Sequence, residues 1–565
     1  MTKIVQRPFN AIMASNLEKA GINTVLARVL SARGISERSQ FEGTLSDLLP
    51  PNSLTNNTQM ANLLADAIAL NKKILIIGDY DADGATATAV AIKGLSMFGA
   101  SVDFLVPNRF EYGYGLTPEI VELATKQKPD IIVTVDNGIA SIDGVLRANE
   151  LGIEVFITDH HLPADTSPKA ACIINPNQHD CHFKSKNLAG VGVMFYCLLA
   201  LRAELRLRGA FKDNLEPNLS SLLDLVALGT VADLVKLDNN NRILVEHGLE
   251  RIRAGKCSAG ITALLNIAGR EPKNMTAQDL GFYVGPRLNA AGRLDDMRLG
   301  IQCLLAETDS TANEFAQTLH NLNAERRNIE SNMQEGAMLE LDDLNVDNQY
   351  SIAIFQPDWH QGIIGILASR IKERFHRPVI AFAKTNDGLL KGSGRSIPNF
   401  HLRDALDLIT KRYPTLIHKF GGHAMAAGLT ITQKDFTQFQ VAFELVACEL
   451  LSAADLTVVI ETDGMLSTEE ISLKTAKILE QQVWGQGFPQ PLFCDKFKVI
   501  SQRVLADKHL KLILEKDAVR FDAMYFGHSQ LLPAQIQAVY QLQTNEFRSL
   551  KTLQLLIKMV SSNDI

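Results

Sequence analysis

Three short apolar runs in the first third of the chain each end in acid, or in acid followed by histidine, and this convergence limits the fold more than any other feature. The runs are Lys73-Ile74-Leu75-Ile76-Ile77-Gly78 leading into Asp79-Tyr80-Asp81-Ala82-Asp83-Gly84, Asp130-Ile131-Ile132-Val133-Thr134-Val135 leading into Asp136-Asn137-Gly138, and Glu154-Val155-Phe156-Ile157-Thr158 leading into Asp159-His160-His161. Continuous β-branched runs of this length, separated by helical patterns, fit parallel strands buried on both faces. Open parallel sheets collect ligands at the carboxyl ends of their strands, so these side chains are expected to share one crevice. Carboxylates packed a few ångströms apart cannot all stay ionised without cations. Divalent metal is the expected neutraliser.

From about 60 to 235 strand and helix patterns alternate, the signature of a doubly wound α/β domain, and 565 residues are too many for one core. Residues 1–50 carry short helical stripes and form an N-terminal arm; 51–306 form the acid-bearing domain. Residues 307–346 read as a long connecting helix, mixed in charge and free of proline. Within the first domain the loop around Arg109 and Tyr114 pairs a cation and an aromatic ring with flexible glycines, a phosphate-contacting pattern. Asp233 closes the apolar segment that starts at Leu222, and an acid so placed is usually paired or metal-bound. Gly285-Pro286-Arg287-Leu288-Asn289-Ala290-Ala291-Gly292-Arg293 sets two arginines among small residues.

Residues 347–452 begin a second α/β domain. Here a glycine-flanked turn carrying Arg395 and Ser396 is expected to present a guanidinium, a hydroxyl and backbone N–H groups to a phosphate, and Gly421-Gly422-His423 to bring backbone close to a ligand. Residues 453–565 change to short, partly alternating strands that suit an OB-type β-barrel. From 491 onward ten Lys or Arg face seven Asp or Glu, although the whole chain carries −7. That local basic balance fits single-stranded nucleic acid, for which Phe497, Phe521 or Tyr525 could serve as stacking platforms, although aromatics on such strands are more often core.

Composition excludes several classes. With 46% hydrophobic and 21% charged residues the chain is ordinary globular protein, and it has neither a signal-peptide core nor a membrane-length apolar run. Seven cysteines without a CxxC pair suit a reducing compartment, so a cytoplasmic location without membrane attachment is expected. His179-Asp180-Cys181-His182 matches no standard zinc spacing. Neither a Walker loop nor a nucleophile elbow is present.

Taken in order, Asp-Tyr-Asp-Ala-Asp-Gly at 79–84, Val-Asp-Asn-Gly at 135–138, Asp-His-His at 159–161, Gly-Thr-Val-Ala-Asp at 229–233 and Gly-Gly-His at 421–423 resemble the DHH/DHHA1 phosphoesterase superfamily. Gly-Pro-Arg-Leu-Asn-Ala-Ala-Gly-Arg at 285–293, Trp-Gly-Gln-Gly-Phe-Pro-Gln-Pro-Leu-Phe at 484–493 and Lys-His-Leu-Lys at 508–511 extend the likeness to its bacterial single-strand-specific 5′→3′ exonucleases. The resemblance implies a metal shell of Asp79, Asp81, Asp83, Asp136, His160 and Asp233, with His161 beside it, the catalytic set being Asp81, Asp83, Asp136, His160, His161 and Asp233. It implies strand contacts from Arg109, Tyr114, Arg287, Asn289, Arg293, Arg395, Ser396, Gly421, Gly422 and His423. Many small members carry a histidine four residues before the first acid; here that place is Leu75, and which two of Asp79, Asp81 and Asp83 bind metal directly stays open.

The implied activity is 5′→3′ hydrolysis of single-stranded DNA to 5′-mononucleotides in recombination and repair, by a monomer whose partners include single-stranded-DNA-binding protein and a RecQ-type helicase. A carboxylate-rich shell favours two Mg²⁺ or Mn²⁺ ions over zinc, and one imidazole tilts the choice towards Mn²⁺. Two rivals stand beside this reading. One is a relative that cuts oligonucleotides or cyclic dinucleotides, which the barrel and the long chain disfavour; the other is a non-catalytic Cdc45-like replication scaffold, which the intact acid and histidine set disfavours.

Overall fold

In the computed structural model the three acid-terminated runs become adjacent parallel strands. The structure describes residues 2–108, 112, 115–212, 215–342, 349–385, 387–547 and 550–561. The chain divides into two compact units, one of residues 6–320 with 461–565 and one of residues 1–5 with 321–460. After a short strand β1 (Thr2–Gln6), the first sheet comprises β2 (Lys73–Gly78), β3 (Ser101–Leu105), β4 (Ile131–Val135), β5 (Glu154–Thr158) and β6 (Cys172–Ile174). Its order is β3-β2-β4-β5-β6, parallel throughout.

Period-two alternation sends Leu75, Ile77, Ile132, Val155 and Ile157 into a core beneath helices Pro118–Thr125 and Ile142–Glu150. Strand order reverses between β2 and β4, so the carboxyl ends of these neighbours open the crevice of a doubly wound sheet, as expected. The N-terminal arm is helical at Ala11–Lys19 and Thr24–Ser31, with Asn10 and Asn23 accepting hydrogen bonds from the first free N–H groups. Asp233 caps helix Leu223–Ala232, and Gly285–Leu294 is also helical. The expected connecting helix is present as Asp309–Asp342.

The second unit holds β7 (Ile352–Phe355), β8 (Val379–Lys384), β9 (Leu389–Arg395), β10 (Lys419–Gly422) and β11 (Ala426–Thr432) in the order β10-β11-β9-β8-β7. The turn expected at Arg395 is instead the end of β9, paired to Ala426 and Val379. Its glycines answer to packing rather than to a turn. A Cβ on Gly392 would come within 2.6 Å of the Phe382 ring, and one on Gly394 within 2.6 Å of Leu402. The strand β12 (Val458–Thr462) pairs with β1.

The last five strands, β13 (Phe493–Leu505), β14 (His509–Lys516), β15 (Val519–Tyr525), β16 (Gln535–Phe547) and β17 (Leu550–Ser561), close as the expected barrel in the order β13-β14-β15-β17-β16. A short parallel β15–β17 pairing completes the ring and removes the open edges. Phe497 and Phe521 are buried in its core rather than presented as platforms, because alternation places them inward.

Candidate active site

Each expected metal ligand of the first domain sits one to five residues beyond a strand end or at a helix end. Asp79 follows β2, and Asp81 is the N-cap of helix Ala82–Met97, its Oδ1 accepting from the N–H groups of Asp83 and Gly84 at 2.9 and 3.0 Å. Asp83, in the first turn, is buried; its two oxygens accept from Gly190 N–H at 2.6 Å and Val191 N–H at 2.9 Å. Those donors are orphan amides of helix Gly190–Leu207, whose positive end suits a carboxylate. Glycine is required at 190, since a Cβ there would approach the Asp136 carboxylate to 2.6 Å.

Asp136 follows β4 with φ of 62°, and Asn137 beside it donates to the carbonyls of Ile77 at 3.1 Å and Val135 at 2.9 Å, bracing β2 against β4. His160 follows β5. Its Nε2 lies 3.1 Å from Asp136 Oδ1, 3.6 Å from Asp233 Oδ2 and 3.9 Å from Asp83 Oδ2. His161 Nδ1 is 2.8 Å from Asp159 Oδ1, which also accepts from the N–H groups of His160 and His161.

Asp159 was not among the expected site residues, although it opens the Asp-His-His run. Its Oδ2 accepts from Ile139 N–H at 2.9 Å, so it holds both the histidine pair and the loop after β4. The other missed contributors, Gly190 and Val191, meet Asp83 only through tertiary structure.

These contacts fix the charge states. Burial, then the nearby Asp81 charge, pushes Asp83 up to about 7. Burial followed by neighbouring carboxylates holds Asp136 and Asp233 well above the usual range. Burial and then His161 lower His160 to about 4, leaving a neutral imidazole suited to ligation. Burial alone would lower His161, but the hydrogen bond to Asp159 and the surrounding acids raise it to about 9. Burial likewise works against Asp159, and the His161 hydrogen bond overcomes it to hold the carboxyl below its ordinary value.

Three groups of donor atoms each lie within 4.8 Å of one another: Asp79, Asp81 and Asp136; Asp83, His160 and Asp233; and Asp136, His160 and His161. The first two share no residue. Buried acids that raise one another's pKa, arranged in two disjoint oxygen-rich sets, are the donor chemistry that two hard divalent cations fit.

Of the expected strand contacts, Asn289 Oδ1 accepts from Ala82 N–H at 2.7 Å, so it braces the acid-bearing helix. Arg287 is buried, donating to the Tyr283 carbonyl and lying 3.2 Å from His320 Nδ1, while Arg293 is half-buried. In the second unit Arg395 donates to the Gly394 carbonyl at 2.8 Å and Ser393 Oγ at 3.3 Å. Gly365 leaves it room: a Cβ there would lie 3.0 Å from Nη2. Ser396 is buried, its hydroxyl donating to the Phe400 carbonyl at 2.7 Å.

Gly421 and Gly428 are paired, as are Gly428 and Ser393, making a side-chain-poor row across three strands. Lys419 and Lys391 flank that row through Thr430, and Gly421, His423, Lys391 and Lys419 are exposed. Gly422 has φ of 143°. Arg109 and Tyr114 lie outside the described residues.

On the barrel, Tyr525 is half-buried and stacked on His528 at 4.5 Å and 13°. Phe526 is exposed, edge-on to His509 at 5.1 Å. Arg503, Lys511 and Met524 form a neighbouring cross-strand row.

Residues 73–230 match the DHH family, N-terminal domain, residues 347–447 the DHHA1 domain and residues 462–559 the RecJ OB domain. A Haemophilus influenzae protein, "Single-stranded-DNA-specific exonuclease RecJ", is 47% identical over 554 residues, covering 96% of each chain. The chain belongs to the RecJ family. The Escherichia coli RecJ is also 47% identical, over 556 residues, covering 95% of this chain and 96% of that one. The crystal structure of RecJ from Thermus thermophilus in complex with Mn²⁺ superposes with a TM-score of 0.83 at 27% identity, covering 100% of this chain and 80% of that one. Its Mg²⁺ complex gives 0.78 at 26% identity, covering 100% and 78%. No helix among the described residues is long and apolar enough to cross a membrane.

Proposed function

We propose that this chain is a single-stranded-DNA-specific exonuclease that hydrolyses phosphodiester bonds from the 5′ end with two Mn²⁺ or Mg²⁺ ions, releasing 5′-mononucleotides in recombination and repair. The observation that carries the reading is the pair of disjoint donor sets at one sheet's carboxyl ends. Asp79, Asp81 and Asp136 are assigned to one ion and Asp83, His160 and Asp233 to the other. When bound, the ions lower the pKa of a water to make the nucleophile and offset charge building on the phosphate.

The chain's own residues do the rest. The Gly190 and Val191 amides hold Asp83 in place, and Asp159 fixes both histidines. His161, held by Asp159 through its Nδ1, is placed to meet a phosphate oxygen. Arg395, the Gly421-Gly422-His423 hairpin, Arg287 and Arg293 are assigned to the strand, with Asn289 bracing the acid-bearing helix beside it. Ser396 acts through the turn it closes, and Arg109 and Tyr114 are retained as strand contacts by resemblance. The same resemblance supports a cytoplasmic monomer that meets single-stranded-DNA-binding protein and a RecQ-type helicase.

The deciding assay uses single strands labelled at either end, with Mn²⁺, with Mg²⁺ and with chelator. Labelled mononucleotide is expected at once from the 5′ label, only late from the 3′ label, and not at all with chelator or on blunt duplex. Early release of the 3′ label, or turnover in chelator, would overturn the assignment.

A further inference from the structure

The segment at 484–488 takes no part in the chemistry above, yet it lies against the carrier of a metal-site carboxylate. Gly485 and Phe488 exchange N–H···O bonds of 2.9 and 3.0 Å, which makes a tight turn with Gln486 and Gly487 at its tip. Gly487 has φ of 72°, a left-handed conformation suited to glycine. The Gln486 carbonyl accepts from Leu237 N–H at 2.8 Å. Both glycines lie close to the gripped segment: a Cβ on Gly485 would lie 2.6 Å from Leu237 Cδ1 and push that side chain aside, and one on Gly487 would lie 3.1 Å from Lys236 Cγ.

Leu237 is four residues beyond Asp233, and the intervening Leu234 has φ of 60°. The segment then enters helix Asn239–Arg253 through its N-cap Asp238, which also accepts from Ser185 Oγ at 2.7 Å and Asn187 Nδ2 at 3.2 Å. Asn241 closes the circuit, donating to the carbonyls of Asn187 at 2.6 Å and Lys236 at 2.9 Å. Residues 185–187 lead directly to Gly190 and Val191, the donors that hold Asp83.

The turn is itself anchored. Trp484 stacks on Phe488 at 5.3 Å and 14°, the Arg242 guanidinium lies 4.3 Å over Phe488, and Arg33 lies 5.2 Å from Trp484. Arg33 also donates to both oxygens of the buried Asp463, at 2.6 and 3.1 Å.

We infer that the 484–488 turn is a positioning element for the metal ligands: by gripping Lys236 and Leu237 it sets Asp233, and through Asp238 and Asn187 it sets the amides that hold Asp83. Gln486 and Phe488 act through other residues, so they are positioning residues and not catalytic ones. The inference rests on the two-cation reading of the site. It makes the segment leading into the barrel a determinant of metal affinity as well as a link to a DNA-binding domain.

The test measures Mn²⁺ binding to full-length metal-free protein by the electron paramagnetic resonance of free Mn²⁺, alongside kcat and KM on a short oligonucleotide as Mn²⁺ is varied. Phe488→Ala and Gly485→Val are expected to weaken Mn²⁺ binding by about tenfold or more, the range seen when groups behind metal ligands are removed. Their kcat should recover at high Mn²⁺ with KM little changed, and Phe488→Tyr, which keeps the ring, should bind Mn²⁺ as the wild type does. If Phe488→Ala does not fold, Gly485→Val decides, because that glycine is exposed and meets only the end of a leucine side chain. Variants that melt earlier yet bind Mn²⁺ with unchanged affinity would reduce the turn to a structural role and overturn the inference. A wild type that binds no Mn²⁺ would instead overturn the two-cation reading itself.

Discussion

The acid crevice of the first sheet and the glycine-lined face of β9–β11 both serve a phosphodiester strand in our reading, but they are built in opposite ways. The crevice draws its groups from five separate stretches of chain, buries most of them and makes each depend on another's placement. The sheet face takes its groups from a hairpin and the neighbouring strand, largely exposed and fixed by ladder register. Buried like charges need a shared scaffold and shared counter-ions, whereas exposed cations need only a backbone to stand on. Changes in the crevice should therefore be large and non-additive, and changes on the face smaller and nearly additive.

The largest expected effect is that of Asp136→Ala, which should lower turnover of a labelled single strand by more than about a hundredfold while strand affinity, read by fluorescence anisotropy, stays close to wild type. His160→Ala should match it, and the double variant should be little worse than either. Near-normal turnover in a folded Asp136→Ala protein would break the comparison at its first term.

Next comes Arg395→Ala. The wild type is expected to prefer a 5′-phosphate over a 5′-hydroxyl, and the variant to lose about 1.5 to 3 kcal/mol of that preference. Combining it with Lys391→Ala should give nearly the sum of the two losses. Equal discrimination by wild type and Arg395→Ala would remove end recognition from this face.

A smaller change is expected on the barrel. Arg503→Ala with Lys511→Ala should lower the salt slope of long-strand binding by about 1.4, as for two phosphate contacts, and leave cleavage of short strands unaltered. An unchanged slope would mean that the outer row meets no phosphate.

Smallest is a pH effect on metal-free protein. Asp83, Asp136, Asp233 and His161 have folded pKa values above their ordinary ones, so the stability they lend is complete at low pH and lost as pH rises through the folded values, about 7 for Asp83 and about 9 for His161. His160, lowered to about 4, acts in the opposite sense between about 4 and 6.5. The clean window is thus above about 6.5: with chelator Tm should fall between pH 6.5 and 9, and saturating Mn²⁺ should abolish the fall. Parallel melting curves with and without metal would contradict these charge states.

Much of the fold was legible because β2, β4 and β5 are uninterrupted β-branched runs, a pattern that only a sheet buried on both faces accommodates. The gathering of acids and histidines into one crevice was legible for the same reason, since strand ends in such a sheet converge. What sequence could not supply was long-range support. Nothing near Asp83 announces that Gly190 and Val191 will meet it 107 and 108 residues later. That Asn289 holds Ala82 across 207 residues, and that the glycines around Arg395 lie in a strand and make room for Phe382 and Leu402, are likewise tertiary facts with no local signal. On the barrel the aromatics read more readily as core than as platforms, and Phe497 and Phe521 are core; the exposed Phe526 ring drew no notice because nothing in its local sequence sets its phase.

The left-handed backbone of Asp136, with φ of 62°, carries one further consequence. Among L-residues, asparagine shares with aspartate the readiness to adopt this conformation, so Asp136→Asn can keep the backbone and the side-chain outline while removing a group that ionises only at a cost in this crowded acidic pocket. The exchange that silences the enzyme should therefore also relax it. A nuclease disarmed in this way becomes a snare, a folded protein that captures a strand and does not consume it, suited to trapping the substrate in mid-passage.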